Sequence, residues 1–173
     1  MTSTASLVCV WLAAVSCVAA CAGPQSVVVH GVRFDKPRGW SVQWESDSTV
    51  VFGPPGDSTS ALRVSALIAQ TDLHQCPGAA HSTVEGLPHS RDYQAVDLDS
   101  ATSVGASDTL FQESGQLVRV HHGYWVHAVC PDTVVTAVFS LAQAVQGAGV
   151  GSRNGYDSSA EVLVRSARFR GSR

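Results

Sequence analysis

The sequence has very little lysine, asparagine or methionine. Lys36 is the single lysine beside ten arginines, and Asn154 and Met1 are each the only residue of their type. Nucleic-acid-binding domains usually carry a basic stripe and a basic overall charge. The formal net charge here is −3 at pH 7. We therefore expect no nucleic-acid partner.

The chain also lacks a long apolar run and a recognisable catalytic motif. Its N-terminal apolar run, residues 7–18, is shorter than the roughly 20 residues that a membrane span needs. No Gly-x-Ser-x-Gly elbow is present. Gly147, Gly149 and Gly151 have neither the lysine nor the βαβ context of a phosphate-binding loop. We expect no enzyme, no cofactor and no metal.

The apolar run of residues 7–18 has the length of the central region of a secretory signal, although residues 1–6 contain no lysine or arginine. It closes on Val18-Ala19-Ala20-Cys21, which resembles the lipobox of bacterial lipoproteins. That resemblance implies a diacylglyceryl group on Cys21, which becomes the first mature residue. Two or three acyl chains hold a protein stably on a membrane. The rival interpretation is an ordinary signal peptide, cut near Ala20 or Ala22, that releases a soluble protein.

This N-terminus predicts the division of the chain. Residues 1–20 form the lipoprotein signal peptide, residues 21–26 a short tether, and residues 27–170 a single domain. A chain of this length can bury one sizeable core. The resemblance places the protein on the extracytoplasmic face of the cell membrane, bound to membrane lipid through its acyl anchor. Because the tether is short, the domain should lie close to the bilayer.

The cysteines fit export to an oxidising compartment. Cys9 and Cys17 leave with the signal peptide and Cys21 is used for lipidation, so Cys76 and Cys130 remain. An isolated pair in an exported protein is normally bridged. A redox-active pair would more often be Cys-x-x-Cys. We predict a structural disulfide between Cys76 and Cys130.

The pattern of residues predicts an α+β fold, an antiparallel β-sheet (meander) with a C-terminal helix packed on one face. Alternating or β-branched runs predict strands, whereas residues 97–107 and 143–155 look like loops. Asp157 or Ser158 can cap the last helix, whose apolar stripe extends to Phe169. The strands are predicted at 27–34, 40–45, 48–52, 62–69, 109–113, 116–122, 124–130 and 133–142, with short helices at 83–87 and 90–96. Gly123 is either a turn or a bulge within one long strand.

Three stretches together resemble the PsbP-like superfamily, which includes actinobacterial lipoproteins of the LpqN type. They are the segment Phe34-x-x-Pro37-x-Gly39-Trp40, residues 116–142, and the closing segment that ends at Phe169. The scarcity of lysine and asparagine also suits a high-GC bacterium such as an actinomycete. The resemblance implies a PsbP-like scaffold for interaction that has no shared catalytic residues.

Two groups of side chains are candidates for a site. His121, His122 and His127 form a local histidine cluster, and imidazoles suit zinc or copper. No cysteine or carboxylate completes the set, so partly exposed strand histidines are the ordinary explanation. Trp40 and Trp44 are expected to share a strand face, and with Trp125 they could line a small pocket for a lipid or glycan. The ordinary explanation is core and rim packing.

The C-terminal arginines have two interpretations. Arg165, Arg168, Arg170 and Arg173 lie within the last nine residues. Cations near the end of a helix complement its dipole, which is the simpler interpretation. The alternative is a basic tail that contacts anionic lipid headgroups.

These features predict a non-catalytic binding or interaction module of the cell envelope, with an unknown envelope protein or component as partner. The alternative is a carrier or sensor that holds a small apolar ligand beside Trp40, Trp44 and Trp125. An enzyme or metal protein that uses the histidines is the third hypothesis.

Overall fold

The structure, a computed structural model, describes residues 25–57, 60–73, 76–87, 95–145 and 156–170. The predicted signal peptide and Cys21 lie outside these ranges. The described part contains two antiparallel sheets and two helices, which confirms the α+β prediction. None of the helices described is long and apolar enough to cross a membrane.

Seven strands form the larger sheet, in the order β3-β4-β5-β9-β8-β7-β6, and all neighbours are antiparallel. Consecutive strands β7, β8 and β9 pair as a meander, as the sequence predicted. The strands are β3 Ser41–Glu45, β4 Thr49–Gly53, β5 Ala61–Gln70, β6 Val96–Asp97, β7 Thr102–Glu113, β8 Gln116–Val129 and β9 Thr133–Ala144.

Two features of the meander bear on the sequence prediction, the position of Gly123 and the start of β7. Gly123 is neither a turn nor a bulge, because the register of β8 with β7 and β9 is continuous through it. The loop predicted over residues 97–107 was wrong, since β7 already begins at Thr102. The first half of β7 has few β-branched residues. Its pairing with β8 overrides that weak propensity, because strand preference depends strongly on neighbours.

The smaller sheet has the order β1-β2-β10, with β1 Ser26–Val29, β2 Val32–Asp35 and β10 Arg168–Phe169. The single strand predicted over residues 27–34 was wrong. His30 and Gly31 both adopt positive φ, 47° and 80°, and turn the chain back so that Val29 pairs with Val32. Two successive residues of positive φ are typical of a tight two-residue hairpin.

The helices are α1 Ala79–Gly86 and α2 Tyr156–Ser166. Helix α1 begins earlier than the predicted helix at 83–87. Most of the helix predicted at 90–96 lies outside the described residues, and Val96 belongs to β6. Helix α2 starts at Tyr156, so neither Asp157 nor Ser158 is its N-cap and that prediction was wrong. Phe169 lies in β10 rather than on the helical stripe.

One face of the large sheet is closed by α2 and the small sheet. Phe34 of β2 packs edge-on against Phe52 and Phe139, with ring centroids 6.2 and 5.9 Å apart. A Cβ added at Gly123 would lie 2.5 Å from Val164 Cγ2, so the glycine lets α2 approach the sheet. The core residues include Val29, Val32, Phe34, Trp40, Val50, Phe52, Leu62, Val64, Trp125, Val135, Phe139, Leu141, Leu163 and Ala167.

The opposite face is covered only in part. Helix α1 contacts β7 and β8 there and buries a small apolar cluster of Ala80, Val84, Val126, Ala128 and Val134. Cys76, just before α1, is bonded to Cys130 at the end of β8, with their Cα atoms 6.0 Å apart. This distance is usual for a disulfide. The predicted pair is therefore joined, and it fastens the α1 segment to the sheet.

Candidate binding surface on the open sheet face

The half of this second face that lies away from α1 presents a row of side chains across four strands. The register sets Trp44 of β3 opposite Val51 of β4, Val51 opposite Arg63 of β5, and Arg63 opposite Ser140 of β9. Residues opposite one another in antiparallel strands point to the same side of the sheet. We call these four residues, together with Leu67 and Val138, the open face.

Trp44, Arg63 and Leu67 are exposed on this surface, and the other three side chains are half-buried. Trp44 is 50% exposed and Leu67 is 62% exposed. Thr49 Oγ1 and Ser65 Oγ lie 2.9 Å apart in the neighbouring row, so these hydroxyls satisfy each other. The result is a surface with one large aromatic ring, one guanidinium group and aliphatic side chains between them.

The three tryptophans do not form the predicted pocket. Trp40 and Trp125 are 4% and 2% exposed and belong to the core on the closed face. The expectation that Trp40 and Trp44 share a strand face was wrong. The register between β3 and β4 shifts between Val42 and Trp44, which places Trp44 on the opposite side. The regular alternation of side chains between the two faces is interrupted at such a bulge, so the sequence position alone does not predict which face Trp44 occupies.

A polar pocket does exist beside Trp125, with a volume of about 290 Å³. Its lining is mixed, with the polar residues Asp99, Thr102, His127 and Arg168 and the apolar or aromatic residues Leu98, Trp125, Ala167 and Phe169. The buried Trp125 Nε1 has no hydrogen-bond partner among the described atoms. The charged groups of Asp99 and Arg168 suit a ligand that carries polar groups better than a wholly apolar one.

The histidine cluster does not converge. His121 Nδ1 lies 2.9 Å from Asp108 Oδ1, His122 Nδ1 lies 3.0 Å from Ser140 Oγ, and His127 Nδ1 lies 2.9 Å from Thr102 Oγ1. His121 and His127 share a side of β8, but six strand residues separate them by roughly 20 Å. His122 points to the other side. In the part of the chain that the structure describes, no three histidine, cysteine or acidic residues could hold a metal ion.

Two of these histidines are partly buried in ways that change their titration. Burial lowers the pKa of His122, whose ring stacks on Tyr124 with centroids 6.3 Å apart. Burial also lowers the pKa of His127, whose ring stacks on Trp125 at 5.7 Å. Since desolvation penalises the charged form, both rings favour the neutral state.

Two polar networks were not found by sequence reasoning. Asp97 accepts hydrogen bonds from Ser103 Oγ at 2.6 Å and His81 Nδ1 at 2.9 Å, and the Asp97 hydrogen bond raises the pKa of His81. Asp108 accepts two bonds from Arg119, at 3.1 and 3.0 Å. Burial of Asp108 disfavours its charge, but the bonds from Arg119 and His121 outweigh this and lower its pKa.

Each network joins residues from different strands or from a strand and a helix. Ser103 and Asp97 face each other across the β6–β7 pair, and His81 reaches them from α1. Arg119 and Asp108 lie across the β7–β8 pair. A sequence signal for such groups would have required the correct strand register.

The comparisons with known proteins support the fold. No family model matches the chain, and no curated protein matches it in sequence. The solved structure of LpqN, described as involved in cell envelope biogenesis of Mycobacterium tuberculosis, is 16% identical with a TM-score of 0.53. The match covers 84% of this chain and 90% of LpqN.

A protein from Bacteroides thetaiotaomicron VPI-5482 is similar to the same extent, at 15% identity and a TM-score of 0.54. That match covers 86% of this chain and 48% of the Bacteroides protein, so the chain spans about half of its length. Identities this low show the fold alone. The chain therefore shares its fold with LpqN and with part of the Bacteroides protein.

Proposed function

We propose that this protein is a lipid-anchored lipoprotein of the cell envelope and that its domain is a non-catalytic module which binds an envelope partner. The lipobox-like Val18-Ala19-Ala20-Cys21 supports the anchor. The fold shared with LpqN, a protein involved in cell envelope biogenesis, supports the envelope role.

The open face is the observation that carries the binding role. Trp44 and Arg63 are of the residue types that most often dominate binding energy at protein interfaces. Strands in a sheet lie about 4.8 Å apart, so these two residues, with Val51 between them, fall within one contact patch. Aromatic residues and arginine are enriched in such patches.

The polar networks favour binding over catalysis. In the network around Asp97, the carboxylate lies between Ser103 and His81, so the imidazole does not contact the serine hydroxyl that it would have to activate. The second ring nitrogen of His81 lies 3.3 Å from Glu85. His121 contacts Asp108, which is also held by Arg119. The two networks join secondary-structure elements, α1 to the β6–β7 pair and β7 to β8.

The carrier hypothesis finds less support. Trp44 lies on the opposite face from Trp40 and Trp125, so the three rings cannot share one ligand. The lining of the pocket beside Trp125 includes Asp99 and Arg168, which do not suit a wholly apolar ligand. We therefore give the open face the binding role.

Site-specific photocrosslinking tests this role. A photoreactive phenylalanine analogue replaces Trp44 in the full-length protein in its lipidating host, and a matched analogue replaces Val96, which is 47% exposed on the β6 edge. We expect a discrete adduct from position 44 that disappears when Arg63 is replaced by alanine. The thermal midpoint of each variant serves as the folding control.

Equal labelling at positions 44 and 96 would show that the open face has no dedicated partner. An adduct at position 44 that survives Arg63→Ala would remove the arginine from the contact. The mass of the adduct formed at position 44 identifies the bound component directly.

The anchor is tested separately by Cys21→Ser. We expect the variant to appear in the medium after a high-salt wash of the cells, because its acyl chains are missing. Wild type should stay in the membrane fraction under the same wash. A variant that remains membrane-bound after the wash would place the anchor elsewhere.

A further inference from the structure

Four arginines from separate elements meet on the outer side of the small sheet. Arg33 of β2, Arg165 of α2, Arg168 of β10 and Arg170 line one open groove, and Asp35 is the only acidic residue among the lining residues that the structure describes. Arg33 is separated from the other three by more than 130 positions of the sequence. Arg165, Arg168 and Arg170 therefore belong to a folded basic face, which we define by these three residues and Arg33. Arg173 lies outside the described residues.

The register concentrates the positive charge. Arg33 lies directly opposite Arg168 in the β2–β10 pair. Like charges directly opposite each other repel and destabilise the pairing of the two strands. Within the described ranges, none of the four arginines takes part in an ion pair. An external anion would relieve the repulsion.

One of the four arginines also has a local role. Arg168 Nη1 donates hydrogen bonds to the backbone oxygens of Arg165, at 2.8 Å, and Ala167, at 2.6 Å. This agrees with the simpler sequence interpretation, in which a cation satisfies the end of the helix. Arg33, Arg165 and Arg170 are exposed and have no such bond among the described contacts. They are left to bind an external group.

The basic face lies within reach of the predicted anchor, as the length of chain between Cys21 and β1 shows. Strand β1 starts at Ser26, only five residues after Cys21, and β1 pairs with β2, which carries Arg33. Five extended residues reach at most roughly 18 Å. A lipid on Cys21 would therefore hold this small sheet at the bilayer surface, where the attraction of anionic headgroups acts within a Debye length of about 8–10 Å.

Exposed aliphatic side chains accompany the arginines. Val28 pairs with Arg33 on the outer side of the sheet and is 57% exposed, and Val162 in the groove is 64% exposed. Basic groups beside apolar ones suit the boundary between headgroups and acyl chains. We propose that the basic face docks on anionic phospholipid headgroups, in addition to the acyl anchor of the proposed function.

This contact would fix the orientation of the domain. The small sheet packs on the closed side of the large sheet, whereas Trp44 and Arg63 lie on the other side. With the arginines against the membrane, the open face points away from the bilayer. The domain would then present its binding surface to partners in the envelope.

Vesicle binding of the unlipidated full chain tests the proposal. The Cys21→Ser protein is mixed with vesicles of phosphatidylcholine alone or with phosphatidylglycerol added, and binding is followed by co-sedimentation over a salt series. We expect binding only to the anionic vesicles, weakening as salt rises. Arg165→Gln should weaken it about fivefold, and Arg165→Gln with Arg33→Gln about thirtyfold, at about 1 kcal/mol for each arginine at the surface.

The matched control is Arg63→Gln, which removes the same charge from an exposed strand position on the open face. It should leave vesicle binding unchanged. If Arg63→Gln and Arg165→Gln weaken vesicle binding equally, the binding depends only on net charge and the docking face is overturned. Equal binding of the protein to both kinds of vesicle would overturn it as well.

The test is independent of the anchor. If Cys21→Ser shows that the anchor lies elsewhere, the vesicle assay still measures the arginines. If the anchor is confirmed and the unlipidated protein ignores anionic vesicles, only the docking face is wrong.

Discussion

The two faces of the seven-stranded sheet differ in how completely they are covered. On the closed face, α2 and the small sheet bury a continuous core, and Leu62 of β5 is fully buried there. On the other face, α1 covers one part, and Leu67 of the same strand is 62% exposed. Five residues along one strand therefore separate a core position from a surface position.

This difference separates the positions that stabilise the fold from those that are accessible to other molecules. The closed face holds most of the apolar area that folding removes from water, and Gly123 gives α2 close contact with it. The open face keeps Trp44 and Arg63 accessible. Changes on the closed face should affect unfolding, and changes on the open face should affect contacts with other molecules.

The disulfide should give the largest effect, because the partly covered side depends on it. Replacing Cys76 and Cys130 together by serine removes a link across 54 positions. The chain-entropy model predicts a loss of about 4 kcal/mol of unfolding free energy. Urea unfolding of oxidised wild type and the double variant measures it. A loss below about 1 kcal/mol would show that the α1 segment holds without the bond.

Alanine variants of Leu62 and Leu67, both in β5, allow a direct comparison of the two faces. Leu62→Ala opens a cavity in the closed core and should cost about 3 kcal/mol. Leu67→Ala, the same change five residues away, should stay within about 0.5 kcal/mol. Both values come from urea unfolding at one pH. Similar losses for the two variants would mean that the open face is covered in solution.

Acid pH should destabilise the protein through one histidine on each face, and this effect should be smaller than those of the disulfide and Leu62 variants. Burial lowers the pKa of His122, on the open side, and of His127, on the closed side, below the ordinary value of 6.5. The unfolded chain then binds more protons between the lowered pKa values and 6.5. Stability is therefore complete above that window and falls as the pH drops through it. Urea midpoints measured from pH 7.5 downwards should decrease.

Two histidine variants test the sign of this effect. His127→Gln, which can keep the bond to Thr102, should reduce the loss in acid. His81 has a raised pKa through Asp97, so its contribution is full below 6.5 and is lost as the pH rises through the raised value. His81→Gln should therefore make the loss in acid steeper. The same direction for both variants would contradict these assignments.

Sequence patterns predicted the fold best where side chains alternate. The alternation over residues 62–69 predicted β5. The Ser114-Gly115 break predicted the turn between β7 and β8, where both residues have positive φ. Patterns failed where a local signal was absent. His30-Gly31 turned a β-branched run into a hairpin, and the start of β7 has little strand propensity of its own.

The site was predicted in part. The pairing of Cys76 with Cys130 was predicted by counting cysteines, on the expectation that the chain is exported. Trp44 was singled out, but a bulge that the sequence does not reveal turned it to the open face. Arg33 was not grouped with the C-terminal arginines, because only the β2–β10 pairing brings them together.

The sequence by itself determined the fold class, the cysteine pair and the candidate anchor at Cys21, since each depends on local periodicity, on counting or on a short contiguous motif. The tertiary structure decided which face each side chain occupies and which distant charges meet. Those depend on strand register and on where α1 and α2 pack. Register slips of one residue exchange the two faces of a strand, so a surface built across several strands is defined only when all of them are paired.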